Sequence, residues 1–132
     1  LGLEVLAVTV LTSVSESQLG GLGYKEGLSL RQLVLDRANI AKESGCAGVV
    51  CAGEEVSLIK KECSNDFKAV VPGIRPAWAE IEKDDQSRIV TPKEAILNGA
   101  DLIVVGRPIR DAKDPGEAAS KIVEEIGLAL TA

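Results

Sequence analysis

Four short apolar runs, each followed by a capped or amphipathic stretch, set the strongest limit on how this chain folds. The first run is Leu3 to Leu11, the second Gly48 to Ala52, the third Lys68 to Val71 and the fourth Asp101 to Gly106. The second is continuously apolar, as in a parallel strand covered on both faces. Ser29 opens a helix after the first run, and Ser29 with Gln32 makes a capping-box pattern. Leu30, Leu33, Val34, Ala38 and Ala41 recur at helical spacing, and Gly45 is the stop. A short helix is expected from about Glu54 to Glu62. Thr91 caps a third helix, with Pro92 at its first position and Glu94 closing the box, and Gly99 ends it. Asp114-Pro115-Gly116-Glu117 repeats this opening. The apolar face of the last helix is then Ala118, Ala119, Ile122, Val123 and Ile126.

Strands alternating with helices predict an α/β fold of four βα units, with parallel strands and right-handed crossovers. The 132 residues suffice for one core, so residues 1–132 read as a single domain. The pattern fits either a small doubly wound sheet or half of an eight-stranded barrel. Both put a ligand at the carboxyl ends of the strands. Those ends are Leu11-Thr12-Ser13, Cys51-Ala52-Gly53, Pro72-Gly73-Ile74-Arg75 and Gly106-Arg107-Pro108.

Composition narrows the function classes. A net charge of −5, with Tyr24, Phe67 and Trp78 as the only aromatics, argues against a nucleic-acid partner. No apolar run nears the roughly 20 residues of a membrane span, and no leader pattern opens the chain. No membrane partner and a cytoplasmic location are therefore expected. The absence of histidine excludes Ser-His-Asp and Cys-His chemistry and a histidine-based zinc site. Cys46, Cys51 and Cys63 read as reduced, small hydrophobes, with a reactive thiol as the alternative. Gly20, Gly21 and Gly23 fit no phosphate-loop pattern and are expected in a flexible loop.

The strand ends carry the remaining chemistry. Gly106 lets a ligand approach the backbone, and Arg107 adds a fork that matches phosphate oxygens. Free backbone N–H groups beside a helix start add to such a site. The alternative is a tight turn with a surface arginine. Arg75 places a second guanidinium in the same neighbourhood, unless Asp84 or Asp85 pairs with it. Asp84 and Asp85 read as general acid/base groups or as structural partners in the long loop from Ile74 to Arg88. Gln86 is an uncharged donor within reach of a phosphate or carbonyl. Thr12 and Ser13 bond either a polar ligand edge or local backbone.

Taken in order, AVTVLTS (Ala7–Ser13), ESGCAGVVCA (Glu43–Ala52), VVPGIRP (Val70–Pro76) and DDQSRIVTPKEAILNGADLIVVGRPI (Asp84–Ile109) resemble orotidine 5′-phosphate decarboxylase of the bacterial type. The trailing Asp114-Pro115 also matches, so the likeness runs along essentially the whole chain. It implies strands five to eight of a cofactor-free (β/α)₈ barrel that converts orotidine 5′-monophosphate to UMP and usually acts as a homodimer. At matching positions, Gln86, Arg107 and the Gly106–Arg107 backbone would hold the substrate phosphate, with Arg75 assisting. Thr12 would contact the pyrimidine and Pro72 would line the pocket. The family's catalytic Asp-x-Lys-x-x-Asp is missing. The nearest string, Asp111-Ala112-Lys113-Asp114, has Gly116 where the last aspartate is needed. No catalytic residue is therefore expected in this chain, which would need its amino-terminal half or self-association. Two alternatives are a non-catalytic half-barrel that binds phosphorylated ligands and a related sugar-phosphate decarboxylase or aldolase.

Overall fold

The computed structural model describes residues 2–132. Its strands are β1 (Leu6–Val8), β2 (Gly48–Val50), β3 (Lys68–Val71) and β4 (Leu102–Ile103). They form one parallel sheet in the order β1-β2-β3-β4, so each βα unit adds its strand beside the last. The helices are α1 (Leu30–Glu43), α2 (Val56–Glu62), α3 (Pro92–Leu97), α4 (Arg107–Arg110) and α5 (Pro115–Leu130). The α/β class with parallel strands expected from the sequence is what the chain adopts. No helix of the described residues is long and apolar enough to cross a membrane.

β3 has the predicted bounds, whereas β1, β2 and β4 are shorter than their apolar runs. β2 and β3 have a strand on both sides, while β1 and β4 have one neighbour each. The flanks stay in the ladder without counting as strand. Ala47 N–H donates to the Val5 carbonyl at 2.9 Å, Thr9 N–H to Val50 at 3.1 Å and Val104 N–H to Val71 at 2.9 Å.

Strand periodicity of two then separates the faces. Ala7, Val49 and Ala69 share one row, and Val71 and Ile103 share the next. Val49, Ala69 and Val71 are buried, in one cluster with Val34 and Ala38 of α1, Val56 and Ile59 of α2, and Ala95 of α3. The opposite row is Val8, Val50, Val70 and Leu102. At its ends Val8 is 55% and Leu102 57% exposed, whereas Val50 is half-buried and Val70 buried, so among the described residues that face is open at its outer strands. Two sheet edges and one apolar sheet face are open, which is the surface a further sheet half would complete.

Caps and stops follow the sequence closely. Ser29 accepts from Gln32 N–H, Thr91 from Glu94 N–H and Asp114 from Glu117 N–H. Gly45 and Gly99 take the positive φ values, 81° and 98°, that end α1 and α3. Four details differ from expectation. The Gln32 side chain bonds Asp36, one helical turn on, instead of closing a box. Glu54 and Glu55 belong to a short 3₁₀ turn, Gly53–Glu55, ahead of α2. Val123 is exposed, because it lies about 100° around the helix from buried Ile122, and Ala129 is buried instead. The glycine segment is not a loose loop. It winds into two 3₁₀ turns, Glu16–Gln18 and Gly20–Leu22, anchored by buried Leu19 and by Arg37, which bonds both the Thr9 carbonyl and the Tyr24 hydroxyl.

Candidate functional site

The carboxyl ends of all four strands surround a cavity of about 480 Å³. Thr12, Pro72, Arg75, Gln86, Gly106 and Arg107 all border it, with Val8, Val50 and Val104 of the open sheet face as its apolar floor. The structure thus brings together all six residues that the resemblance assigns to the substrate, from Thr12 to Arg107, whereas Ser13 and Asp84, also singled out from the sequence, do not line the cavity. Among the described residues, no lysine lines the cavity.

The long loop after β3 does most of this assembly. It turns back so that Ile74 pairs with Val90 as an isolated parallel bridge. Ser87 and Arg88 N–H groups then both donate to the Thr12 carbonyl, at 3.1 and 3.2 Å. Gly73 sits in the crook with φ 70°, where a Cβ would come within 3.0 Å of the Arg88 carbonyl. Both the backbone angle and the space therefore require glycine there. The Arg88 side chain, 7% exposed, donates to the carbonyls of Val10, Leu11 and Val14 at 3.0, 3.1 and 3.2 Å. Its remaining end pairs with buried Glu55, which also accepts from Ala52 N–H. Sequence reasoning gave Arg88 no role. Its only signal was its place in the Asp-Asp-Gln-x-Arg string, and an isolated arginine reads as a surface residue.

The fastening fixes the polar rim. The Thr12 hydroxyl donates to Gln86 Oε1, which turns the Gln86 amide so that Nε2 remains as its donor end. Thr12 thus borders the cavity, and its hydroxyl bonds a side chain 74 positions away and not the local backbone that the sequence alternative named. Gly106 lies at the rim, and beyond its own chain neighbours no described atom comes within 4 Å of where a Cβ would stand. The helix it opens, α4, is a single turn, so the positive charge here comes from Arg107 and not from a helix dipole.

For Arg75 the pairing alternative is the one the structure shows. It borders the cavity and makes a two-point pair with Asp84, Nε–Oδ2 at 2.6 Å and Nη2–Oδ1 at 2.8 Å. Arg107 Nη2 reaches Asp84 at 3.0 Å and Asp85 at 2.5 Å. The hydrogen bond from Arg75 holds the Asp84 carboxyl at about 2, and that from Arg107 lowers Asp85. Both are ionised and weakly basic at neutral pH, which suits structural partners and not general acid/base groups. Burial pushes the Cys51 thiol at the base of the cavity up to about 12, so it stays protonated. All three cysteines are free; Cys51 and Cys63 are buried and Cys46 half-buried.

Asp84 is depressed in the fold, so its contribution is complete above the ordinary value of 3.8 and disappears as pH falls through about 2. Trp78, the single tryptophan, lies in the same loop and reports on it. Its emission is expected to shift across that acid window in the native chain and not in Asp84→Asn. Identical acid profiles for the two proteins would show that Asp84 does not hold the loop.

Comparison with known proteins gives a consistent picture. A family model described as orotidine 5′-phosphate decarboxylase / HUMPS family matches residues 1–122. Orotidine 5′-phosphate decarboxylase of Geobacter sp. (strain M21) is 50% identical over 123 residues, covering 93% of this chain and 50% of that protein. The enzyme of that name from Syntrophomonas wolfei is 50% identical over 121 residues, covering 92% and 50%. The chain spans about half the length of the curated relatives it matches. Among solved structures, orotidine 5′-phosphate decarboxylase from Lactobacillus acidophilus superposes with a TM-score of 0.74 at 40% identity, over 93% of this chain and 49% of that one. The Pyrococcus horikoshii structure gives 0.62 at 27% identity, over 94% and 51%.

Proposed function

The chain belongs to the orotidine 5′-phosphate decarboxylase / HUMPS family, as the counterpart of the carboxyl-terminal half of its barrel, and on that premise we propose that its cavity binds orotidine 5′-monophosphate and UMP for the decarboxylation that completes UMP synthesis. The observation that carries this is the convergence of Thr12, Pro72, Arg75, Gln86, Gly106 and Arg107 on one cavity. Arg107, Gln86 Nε2 and the Gly106–Arg107 backbone take the phosphate, with Arg75 beside them. Thr12 meets the pyrimidine edge and Pro72 packs against the ligand. A bidentate guanidinium is the side chain best matched to phosphate oxygens.

This chain supplies the grip and not the chemistry. Loss of CO₂ leaves a carbanion-like centre that a positioned acid must protonate, and the cavity holds no lysine. Arginine is too basic to act as that acid. Lys113, in the nearest string to the family's signature, is exposed ahead of α5. Asp66-Phe67-Lys68 shares the start of that spacing, but Lys68 lies at the amino end of β3, paired with Glu4. Phosphate binding energy expressed in the transition state still lowers the barrier at the ring. The lysine then comes from a second sheet half over the open face, either an amino-terminal half or, in an oligomer, another chain. No cofactor is invoked. The absence of a lysine equally suits a half-barrel that binds phosphorylated ligands without turnover.

Calorimetric titration with UMP and with ribose 5-phosphate tests the binding reading. UMP is expected to bind about tenfold more tightly, for one added hydrogen bond and a buried ring. Equal affinities would replace the nucleotide by a generic sugar phosphate, as in a sugar-phosphate lyase. Binding of neither would refute a preformed site.

A further inference from the structure

The two aspartates beside the arginines are not equivalent. Asp84 is wedged between both guanidiniums, with two bonds to Arg75 and one to Arg107, and its Oδ1 also accepts Gln86 N–H at 3.0 Å. Its side chain is 23% exposed. Asp85 has one arginine contact, to Nη2 of Arg107, and a long 3.5 Å approach from Gln86 Nε2. Its side chain is 68% exposed. The groups that Asp85 touches, Arg107 and Gln86, are the two side chains assigned above to the phosphate.

A carboxylate on a guanidinium uses the same donors that a phosphate oxygen would use. Arg75, Arg107, Asp84 and Asp85 together sum to zero charge, so the empty site presents no net attraction to an anion. Arg110 is no substitute, since it is paired with Asp111 at 2.5 Å. Two guanidiniums held this close need an anion between them, and Asp84 is that anion.

We propose that Asp85 is a removable occupant of Arg107 and Asp84 a fixed spacer between the arginines, so that a phosphate monoester enters by replacing Asp85 alone. The exchange frees one N–H of Arg107 Nη2, whose bond to Asp84 stays, together with the Gln86 amide, and leaves a net positive charge facing the ligand. This rests on the phosphate reading given above. It goes beyond that reading in making affinity depend on an internal competitor and in giving two adjacent carboxylates opposite effects.

Titration of the full chain with UMP and with uridine, at constant ionic strength and neutral pH, separates the roles. Asp85→Asn is expected to bind UMP about fivefold more tightly, the loss of one exposed ion pair, and uridine unchanged. Asp84→Asn is expected to bind UMP about tenfold more weakly, because the arginines then repel each other. Effects of the same sign, or an unchanged UMP affinity in Asp85→Asn, would overturn the proposal. A second measurement needs no ligand: phenylglyoxal labelling of Arg107, mapped by mass spectrometry. Labelling is expected to be faster in Asp85→Asn, and equal rates would overturn the blocking of Arg107. Faster labelling without UMP binding in any variant would support the blocking and overturn the nucleotide reading instead.

Discussion

Orotidine 5′-monophosphate incubated with these 132 residues alone is expected to release CO₂ no faster than in buffer. Enzymes commonly accelerate their reactions by about a millionfold or more, so the difference is readily measured. The reason lies in the cavity: three arginines, an amide and a threonine hydroxyl are among the polar groups that line it, and none of these delivers a proton to carbon at neutral pH. Adding a separately produced half-barrel that carries Asp-x-Lys-x-x-Asp is expected to restore turnover, because the exposed Val8 and Leu102 at the two edges of that sheet face are the surface such a half would cover. Without it, light scattering is expected to give a mass above the 13.8 kDa of one chain, as the bare face finds a second copy. Saturable, protein-dependent loss of substrate by the homogeneous chain would defeat the first expectation, and a clean monomer the last.

Arg88→Met is expected to destabilise the fold by about 3–5 kcal/mol, the usual cost of stripping one partner from a buried ion pair. Against a typical total of about 5–15 kcal/mol this is enough to unfold much of the population. Glu55 would remain buried without its cation, and three carbonyls in the segment after β1 would each lose a donor. Burial raises the Glu55 carboxyl above its ordinary value in spite of Arg88, so desolvation outweighs the attraction within the pair. For that reason Glu55→Leu combined with Arg88→Met is expected to recover part of the loss, though not the carbonyl bonds. Urea unfolding followed by circular dichroism measures both. A single variant within about 1 kcal/mol of the native chain, the level of an exposed pair, would show that Arg88 is not the fastening described.

Arg88 also illustrates what was legible and what was not. The capping residues of α1, α3 and α5 were readable because each cap bonds a partner three positions away. The strands were readable because an apolar run needs no distant information to be recognised. Their ends fell short of the runs, since how far a run pairs depends on its neighbours in the sheet. The six cavity residues were named because strand ends converge in any such fold, and because the motif series matched a family. That Asp84 serves two arginines and Asp85 one was not readable, nor was the burial of Arg88. Those contacts join positions 9 to 78 apart, and they exist only because the loop after β3 folds back onto the end of β1.

The sequence by itself determined the α/β alternation, the caps and stops, and the candidate strand-end residues, because periodicity and capping act within a turn or two of chain. The tertiary structure alone decided which sheet face is bare, which carboxylate holds which arginine, and that a lone arginine anchors the site. Those outcomes depend on where the backbone returns after tens of residues, and on which charges it leaves without water.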